Sequence, residues 1–399
     1  MDVVQASQGF NTGRDVERLA LKYGAMRASP LGFMRGSCHL FYARLPRGGA
    51  MKSAPLAWCC GDLHVANFGS YKGDDRLVRF DLSDFDEAVL APASWDLARL
   101  LASVWIAAGQ LGLARADIQA LCQGLLVAYA DALAAGKAAW IEPATAQGIV
   151  GKLLDGLSKR SRPAFLDART KMKGAHRVLR TDNGKALPAT DAQRAAVLGF
   201  MAGFAQAQPD PPFYKALDVA RRVSGTGSLG VERYAVLVQG KGLPDGNHLL
   251  DLKRAAPSAL SPWLPIKQPR WPTEAHRIVD LQRRMQAVAM AFLQPVVVGG
   301  QPFVLRALHP SEDRIDFKQA AATPGGLPGL LGTLGRLTAW AQLRAAARQG
   351  AAGPDELIDF GQQSKWRGQW LDAAEACALR LRKDAGIFNA AYDDGAFSG

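Results

Sequence analysis

One segment of the chain, residues 60–103, concentrates the side chains that could do chemistry. Asp62 and Asn67 stand five residues apart, and Asp84 follows after one predicted hairpin. Carboxylate and amide oxygens suit a hard divalent cation such as Mg²⁺, which binds few protein oxygens and completes its shell with water and phosphate. The spacing therefore indicates metal-assisted phosphoryl transfer, with Asn67 and Asp84 as the candidate metal ligands.

The local pattern of this segment predicts the elements that hold these side chains. Residues 77–82 read as a short strand that leads to Asp84, so we expect carboxylates at the rim where this strand ends. Ser94 is placed to cap a following helix. The apolar face of that helix carries Leu97, Leu100, Leu101 and Val104. The alternative is that Asp81, Asp84 and Asp86 are ordinary turn residues and that Asp62 is a cap.

The same segment resembles the catalytic loop of protein kinases, in which Asn follows the catalytic Asp by five residues and a hairpin leads to a metal-binding Asp-Phe-Gly. Residues 61–67 (GDLHVAN) and 83–87 (SDFDE) are similar to the looser form of aminoglycoside and choline phosphotransferases. Asp96, in an Asp-Leu-Ala on the next helix, also matches. The resemblance implies that Asp62 accepts a proton and that Asp96 orients its loop. His64 either positions this loop or is a buried hydrogen-bonding residue.

Composition indicates a soluble globular protein and limits the kinds of partner it is expected to bind. The 399 residues are 48% hydrophobic, yet no uncharged apolar stretch of about 18 residues predicts a membrane span. Five cysteines without CxxC spacing argue against a disulfide framework and a zinc site, and no secretory signal is recognisable, so we expect a cytoplasmic location. The net charge of +12 favours an anionic partner, such as a nucleotide or phosphate ester.

Most of the first half of the chain is predicted to be helical. Residues 14–28 should form a helix and residues 39–45 a strand. Ala-rich and Leu-rich periodicity predicts three core helices at 94–110, 115–136 and 144–157.

A basic segment, residues 159–185, follows these helices. It has few aromatic residues to interleave with bases, so nucleic acid is a minor option. A solvated face is the favoured interpretation, and docking of a phosphate-bearing substrate is the alternative.

A glycine-rich hairpin is predicted at residues 218–239. Its bend carries Gly225, Gly227, Ser228 and Gly230, which are the candidate phosphate-binding residues. A GxGxxG spacing also occurs in dinucleotide-binding folds, but there a helix follows the glycines at once. Here residues 234–238 read as a strand. The pattern therefore favours a kinase-type hairpin that covers phosphates.

Lys253 follows on the next predicted strand, where a kinase keeps its phosphate-pairing lysine. A helix at 273–293 and two more strands complete a five-stranded small lobe. That helix offers no obvious glutamate for Lys253, since Glu274 is at its edge, and Gln282 or Gln286 is the expected substitute. The hairpin and lysine come after the catalytic loop, which predicts a circular permutation of the kinase order.

These motifs together resemble a bacterial family known as domain of unknown function 2252, which is grouped with kinase-like proteins. The resemblance covers most of the chain, through SPLGFMRG, GDLHVANFG, DFDEAVLAPASWDLARL, RVSGTGSLG, LKRAAPSAL and LQRRMQ. The chain departs from the family pattern at Arg254, where an acidic residue is expected, and at Gln342, where a histidine is expected. These departures are compatible with nucleotide binding and weaker turnover.

We therefore expect an α+β, kinase-like two-lobe fold, circularly permuted, with a small five-stranded antiparallel lobe and a larger helical lobe. The expected division is 1–208 for the large lobe, 209–326 for the nucleotide-binding lobe and 327–399 for helices that return to the large lobe. The expected function is ATP- and Mg²⁺-dependent phosphoryl transfer to an unidentified hydroxyl acceptor. The alternatives are a nucleotide-binding scaffold without turnover and, less favoured, a metallophosphoesterase suggested by the Asp62-Leu63-His64 and Gly246-Asn247-His248 fragments.

Overall fold

The computed structural model describes residues 1–397 and has a mixed α+β structure, as the sequence predicts. Its helices are α1 (Val3–Phe10), α2 (Val16–Arg27), α3 (Pro30–Gly36), α4 (Cys38–Arg44), α5 (Ser94–Gln110), α6 (Arg115–Ala134), α7 (Gly148–Lys159), α8 (Arg162–Asp167), α9 (Asp191–Gln206), α10 (Glu274–Met285), α11 (Phe317–Ala321), α12 (Gly326–Arg344), α13 (Pro354–Gln362) and α14 (Arg367–Asp393). Its strands are β1 (Leu56–Cys59), β2 (Phe68–Lys72), β3 (Val78–Leu82), β4 (Val89–Pro92), β5 (Thr170–Lys173), β6 (His176–Leu179), β7 (Ala186–Pro188), β8 (Ala216–Arg222), β9 (Arg233–Val238), β10 (His248–Arg254), β11 (Gln294–Val298) and β12 (Gln301–Ala307).

The largest sheet has six antiparallel strands in the order β11-β12-β10-β9-β8-β7. Five of them lie within residues 209–326, where five were predicted. The total of five is nevertheless wrong, because β7 adds an edge strand through the Ala186↔Arg222 to Pro188↔Ala220 register. A three-residue strand that ends in proline gives almost no alternation to detect.

The two faces of this sheet have different surroundings, because side chains alternate between the faces along each strand. Leu250 and Leu252 contribute to an apolar core that α9 covers with Val197 and Met201. Lys253 lies on the opposite face, which is directed toward residues 60–103, here called the acidic segment. The sheet and its covering helix therefore include residues on both sides of the predicted domain boundary at residue 209.

Helix α10 is shorter than the predicted range 273–293. It ends at Met285 because the next two residues hydrogen bond to the acidic segment instead of continuing the helix. The Gln286 side chain donates to the Leu82 carbonyl at 2.7 Å, and the Ala287 amide donates to the Asp81 carboxylate at 3.0 Å. These bonds attach the sheet unit to the end of β3.

The remaining helices form one large core around α5, which is buried on nearly every side. Helices α6 and α14 pack on α5, and α12 and α13 pack on α6, so the chain after residue 326 returns to helices from the first half. Two small antiparallel pairs, β1 with β4 and β2 with β3, precede α5 in the chain, and the second pair packs on α7. No helix within residues 1–397 is both long and apolar enough to cross a bilayer.

Two local predictions were wrong near these elements. Residues 39–44 lie in helix α4 rather than in a strand, because a short apolar run buried on several sides has no diagnostic period. Ser94 is not the N-cap of α5, which is Ala93; its hydroxyl donates instead to the Met51 carbonyl at 2.7 Å.

The basic segment 159–185 is folded into α8 and the β5-β6 hairpin rather than forming only a solvated face. Arg177 is buried and contacts Asp167 at 2.6 Å and Asp245 at 2.7 Å. Arg160 forms an ion pair with Asp313. Part of the segment's charge is thus neutralised inside the protein.

The close approach of α12 to α6 gives a stability prediction. A Cβ added at Gly335 would lie 2.3 Å from the Leu125 carbonyl oxygen, whereas one added at Gly329 of the same helix meets no atom within 4 Å. We expect Gly335→Ala to lower the free energy of unfolding by about 1–3 kcal/mol through overpacking. Gly329→Ala should raise it by about 0.5–1 kcal/mol, since alanine favours the helix. Urea unfolding followed by circular dichroism measures both; stabilisation by Gly335→Ala would contradict this packing.

Candidate functional site

A cleft of about 670 Å³ lies between the acidic segment, the glycine turn and the N-terminal helices. It brings together residues that are far apart in the sequence. Nine of the ten predicted site residues line it: Asp62, His64, Asn67, Asp84, Gly225, Gly227, Ser228, Gly230 and Lys253. The tenth, Asp96, does not line the cleft and is fully buried at the start of α5.

Asp96 holds the loop that carries Asp62. Its carboxylate accepts hydrogen bonds from the Cys60 amide at 2.7 Å and the Gly61 amide at 2.9 Å. Burial raises the pKa of Asp96 to about 7, although both amides favour the ionised form. These contacts attach the start of α5 to the loop that carries Asp62.

Asp62 is held in turn by an arginine that sequence reasoning missed. Arg99 is fully buried one helical turn after Asp96, and its Nε donates to the Asp62 carboxylate at 2.6 Å. Burial raises the pKa of Asp62, and the Arg99 guanidinium opposes that rise. An arginine three residues after an aspartate in an apolar helix was the available signal.

Asn67 closes the loop that begins at Asp62. The side-chain amide of Asn67 donates to the backbone carbonyl of Asp62. The backbone carbonyl of Asn67 accepts a hydrogen bond from the Ser83 amide at 2.9 Å. The loop is therefore fixed to the end of β3, next to Asp84.

His64 is neutral and serves the same loop. Its Nδ1 accepts a hydrogen bond from the Ala66 amide at 3.2 Å, and its Nε2 lies 3.9 Å from an Asp62 carboxylate oxygen. Burial, Arg35 and Arg99 lower its pKa well below the usual value.

Asn67 and Asp84 provide oxygen atoms that could hold Mg²⁺. Within residues 1–397, the Asp84 carboxylate has no cationic side chain within 4.0 Å, and no three His, Cys, Asp or Glu gather as a metal site. Burial would raise the pKa of Asp84, but Lys253, Arg306 and Arg314 together hold it below the usual value. An ionised carboxylate beside an amide oxygen fits a cation that takes its other ligands from water and phosphate.

The glycine turn and Lys253 form the opposite wall. A single 3₁₀ turn, Thr226–Ser228, follows β8, and β9 follows directly, as the hairpin prediction requires. Gly225 and Gly230 have φ of 74° and 84°, which glycine adopts at no steric cost. The Ser228 hydroxyl lies 2.5 Å from Lys253 Nζ.

Lys253 forms an ion pair with Asp86, rather than with a side chain of α10. The substitutes expected from the sequence, Gln282 and Gln286, hydrogen bond to each other at 3.2 Å. Burial lowers the pKa of Lys253 to about 8, although the Asp84 charge opposes this.

Further arginines that the sequence analysis did not single out also line the cleft. Arg35 and Arg314 have no acidic group within 4.0 Å in the described residues. Arg14 donates to the Gly227 carbonyl at 2.8 Å and so fixes the glycine turn to the N-terminal region. Arg314 follows the sheet by several residues and carries no local motif.

The two departures from the expected family pattern lie in different places. Arg254 lines the cleft and donates to Gln301 at 2.8 Å. Gln342 is in the helical core, where it accepts from the Tyr129 hydroxyl at 2.6 Å. Only Arg254 can therefore act directly on a ligand in the cleft.

The metallophosphoesterase fragments are not brought together in one site. Asp62 and His64 line the cleft, whereas Asn247 and His248 line a separate cavity.

The model of one protein family, described as an uncharacterized protein conserved in bacteria (DUF2252), matches residues 14–391. The matched range includes every residue of the site described above. No curated protein and no solved structure matches the chain. Since the match covers nearly the whole sequence, the chain belongs to the bacterial DUF2252 family.

Proposed function

We propose that the protein is an ATP- and Mg²⁺-dependent phosphotransferase acting on a hydroxyl acceptor. The observation that carries this proposal is the convergence of Asp62, Asn67, Asp84 and Lys253 on one cleft covered by a glycine turn. Carboxylate and amide oxygens for a metal, a lysine for phosphate and a further carboxylate for a hydroxyl proton are the groups that phosphoryl transfer requires.

Each residue has a role that follows from its contacts. Asn67 and Asp84 would hold Mg²⁺, which when bound offsets phosphate charge. Lys253 and the amides of the glycine turn bind phosphate oxygens, with Lys253 exchanging Asp86 for the ligand. Asp62, kept in place by Arg99, accepts the acceptor's proton.

The finer fold proposal is a circularly permuted, kinase-like two-lobe protein divided at 1–208, 209–326 and 327–399, except that β7 and α9 pack with the second part. It is supported by the order β8, glycine turn, β9, β10 with Lys253, α10, β11 and β12, which all follow the Asp62 loop in the sequence. Permutation leaves the spatial arrangement of the ligand-binding groups unchanged.

The second candidate is nucleotide binding without turnover. It is favoured by the internal pairing of two central groups, Lys253 with Asp86 and Asp62 with Arg99. Arg254, which lines the cleft at a position where an acidic residue is expected, adds a third reason.

Substitution at Asp62 and at Lys253 should separate turnover from binding. Asp62 matters when a hydroxyl loses its proton, so Asp62→Asn should slow ATP turnover by roughly 100-fold or more with Mg²⁺-ATP affinity nearly unchanged. Lys253→Ala should weaken affinity as well. Asp182→Asn, at an exposed site, is the matched control. Calorimetry and an ATP-turnover assay with a panel of hydroxyl acceptors measure these effects.

Two results would overturn the enzyme proposal. If the wild type binds ATP but turns it over no faster than Asp62→Asn with every acceptor, binding without turnover is the function. If the wild type binds no nucleotide, both candidates fail.

The metal ligand Asp84 gives a separate prediction. Asp84→Asn removes a negative charge but keeps an oxygen, so it should reduce the gain in ATP affinity that Mg²⁺ provides by about tenfold or more. Titrations of ATP with Mg²⁺ and with EDTA measure this gain. An unchanged gain would place the metal elsewhere.

The pKa of Lys253, about 8, predicts a pH dependence of ATP affinity. Below pH 8 the free protein already carries the ammonium, so affinity should be flat. Above pH 8 the ammonium must be regained on binding, and affinity should fall by up to about tenfold per pH unit. Lys253→Arg should abolish the slope between pH 7.5 and 9.5, because arginine stays charged. The same slope in both proteins would assign it to another group.

A further inference from the structure

A second cavity of about 640 Å³ shares no lining residue with the cleft. It lies between the turn joining β2 to β3, helix α8, the start of β10 and the chain on either side of Phe292. Its volume is in the usual range for small-molecule sites, roughly 300–1,000 Å³. None of its residues has a role in the proposed phosphoryl transfer.

Aromatic rings and guanidinium groups form one wall of this cavity. The Phe213 ring centroid lies 4.7 Å from that of His248 and 5.7 Å from that of Phe292. Arg76 stacks on Phe292, with its Cζ 4.4 Å from the ring centroid, and Arg162 Nη1 lies 2.8 Å from His248 Nε2. Such a wall presents flat apolar surface and positive charge together.

The positive charge of this wall is not neutralised by the protein. Among residues 1–397, no carboxylate lies within 4.0 Å of Arg76 or Arg162. The acidic residue that lines the cavity, Asp313, is paired with Arg160. Burial and the nearby Arg76 lower the pKa of Arg162, so the two cations repel each other. An anion between them would relieve that repulsion.

The backbone at this wall is held in an uncommon conformation. Arg76 and Phe292 have φ of 66° and 63°, in the left-handed region that bulky side chains rarely adopt. Hydrogen bonds from Asp74 N to Ala289 O at 2.9 Å and from Ala291 N to Lys72 O at 3.1 Å hold the two turns together. Strained residues kept in place by their surroundings occur often at ligand-binding sites.

Two buried side chains lining the cavity have hydrogen-bond acceptors without a partner in the described residues. The amide nitrogen of Asn247 donates to the Gln239 carbonyl, which leaves Asn247 Oδ1 unpaired. His309 is neutral, since burial lowers its pKa, and its Nε2 donates to the Ser70 carbonyl at 3.1 Å. His309 Nδ1 is therefore an unpaired acceptor. Both atoms have almost no accessible surface, so they do not themselves contact a ligand in the cavity.

We propose that this second cavity binds a nucleoside monophosphate. A nucleobase has the flat ring that the aromatic wall of Phe213, His248 and Phe292 accommodates. Its phosphate meets the guanidinium groups of Arg76 and Arg162, which suit that anion.

The test is calorimetric titration with AMP, without Mg²⁺, compared with adenosine and inorganic phosphate. The wild type should bind AMP more tightly than either fragment. The double substitution Arg76→Gln with Arg162→Gln should weaken AMP binding by about tenfold or more, since two charged hydrogen bonds are lost. Lys152→Gln, an exposed charge removal, is the control. Lys253→Ala should leave AMP binding unchanged, because it alters only the cleft.

Each contrary outcome overturns the proposal. Loss of AMP binding in Lys253→Ala with none in the double variant would place AMP in the cleft. If phosphate binds as tightly as AMP, the cavity is a site for anions alone. If AMP shows no saturable binding, the cavity is not a nucleotide site. Unchanged Mg²⁺-ATP binding by the double variant keeps this test separate from that of the proposed function.

Discussion

The cleft depends on one buried carboxylate, that of Asp96. A carboxylate in the core is costly unless hydrogen bonds or charges stabilise it. Asp96 is stabilised by the amides of Cys60 and Gly61, and it therefore fixes the direction of the chain at the point where Asp62 begins. Arg99, on the same helix, donates a hydrogen bond to the Asp62 carboxylate. One helix end thus positions both the backbone and the side chain of the candidate base.

A second set of contacts decides how the sheet meets this loop. Asp81 accepts hydrogen bonds from the Ala287 amide and from Arg344 at 3.2 Å, so it joins the acidic segment to the end of α10 and to α12. Helix α10 packs on β11 and β12, so this junction also connects the six-stranded sheet to the acidic segment. Lys253 and Asp86 then meet across the cleft.

The charges that line the cleft are only partly balanced. Asp62 and Lys253 have internal partners, whereas Asp84, Arg35 and Arg314 have no oppositely charged group within 4.0 Å in the described residues. Partly buried charges of both signs without direct partners are stabilised best by a ligand that carries both signs, and a metal-bound phosphate group does so. The same reasoning applies to the second cavity, where the excess charge is positive and the proposed ligand, a nucleoside monophosphate, is an anion.

The sequence by itself determined the local pieces of this protein. The Asp62 to Asn67 spacing, the glycine hairpin, the strand with Lys253 and the Asp96 helix were predictable because periodicity and turn residues act over a few positions. The partners of these groups were not. Lys253 contacts Asp86, which is 167 residues away in the sequence, and Asp62 contacts Arg99, which is 37 residues away. No local pattern predicts contacts between residues so far apart in the chain. The short edge strand β7 and helix α4 were likewise decided by what they pack against. Tertiary structure chose these contacts because burying a charge or an apolar face requires a complementary group, wherever in the chain that group lies.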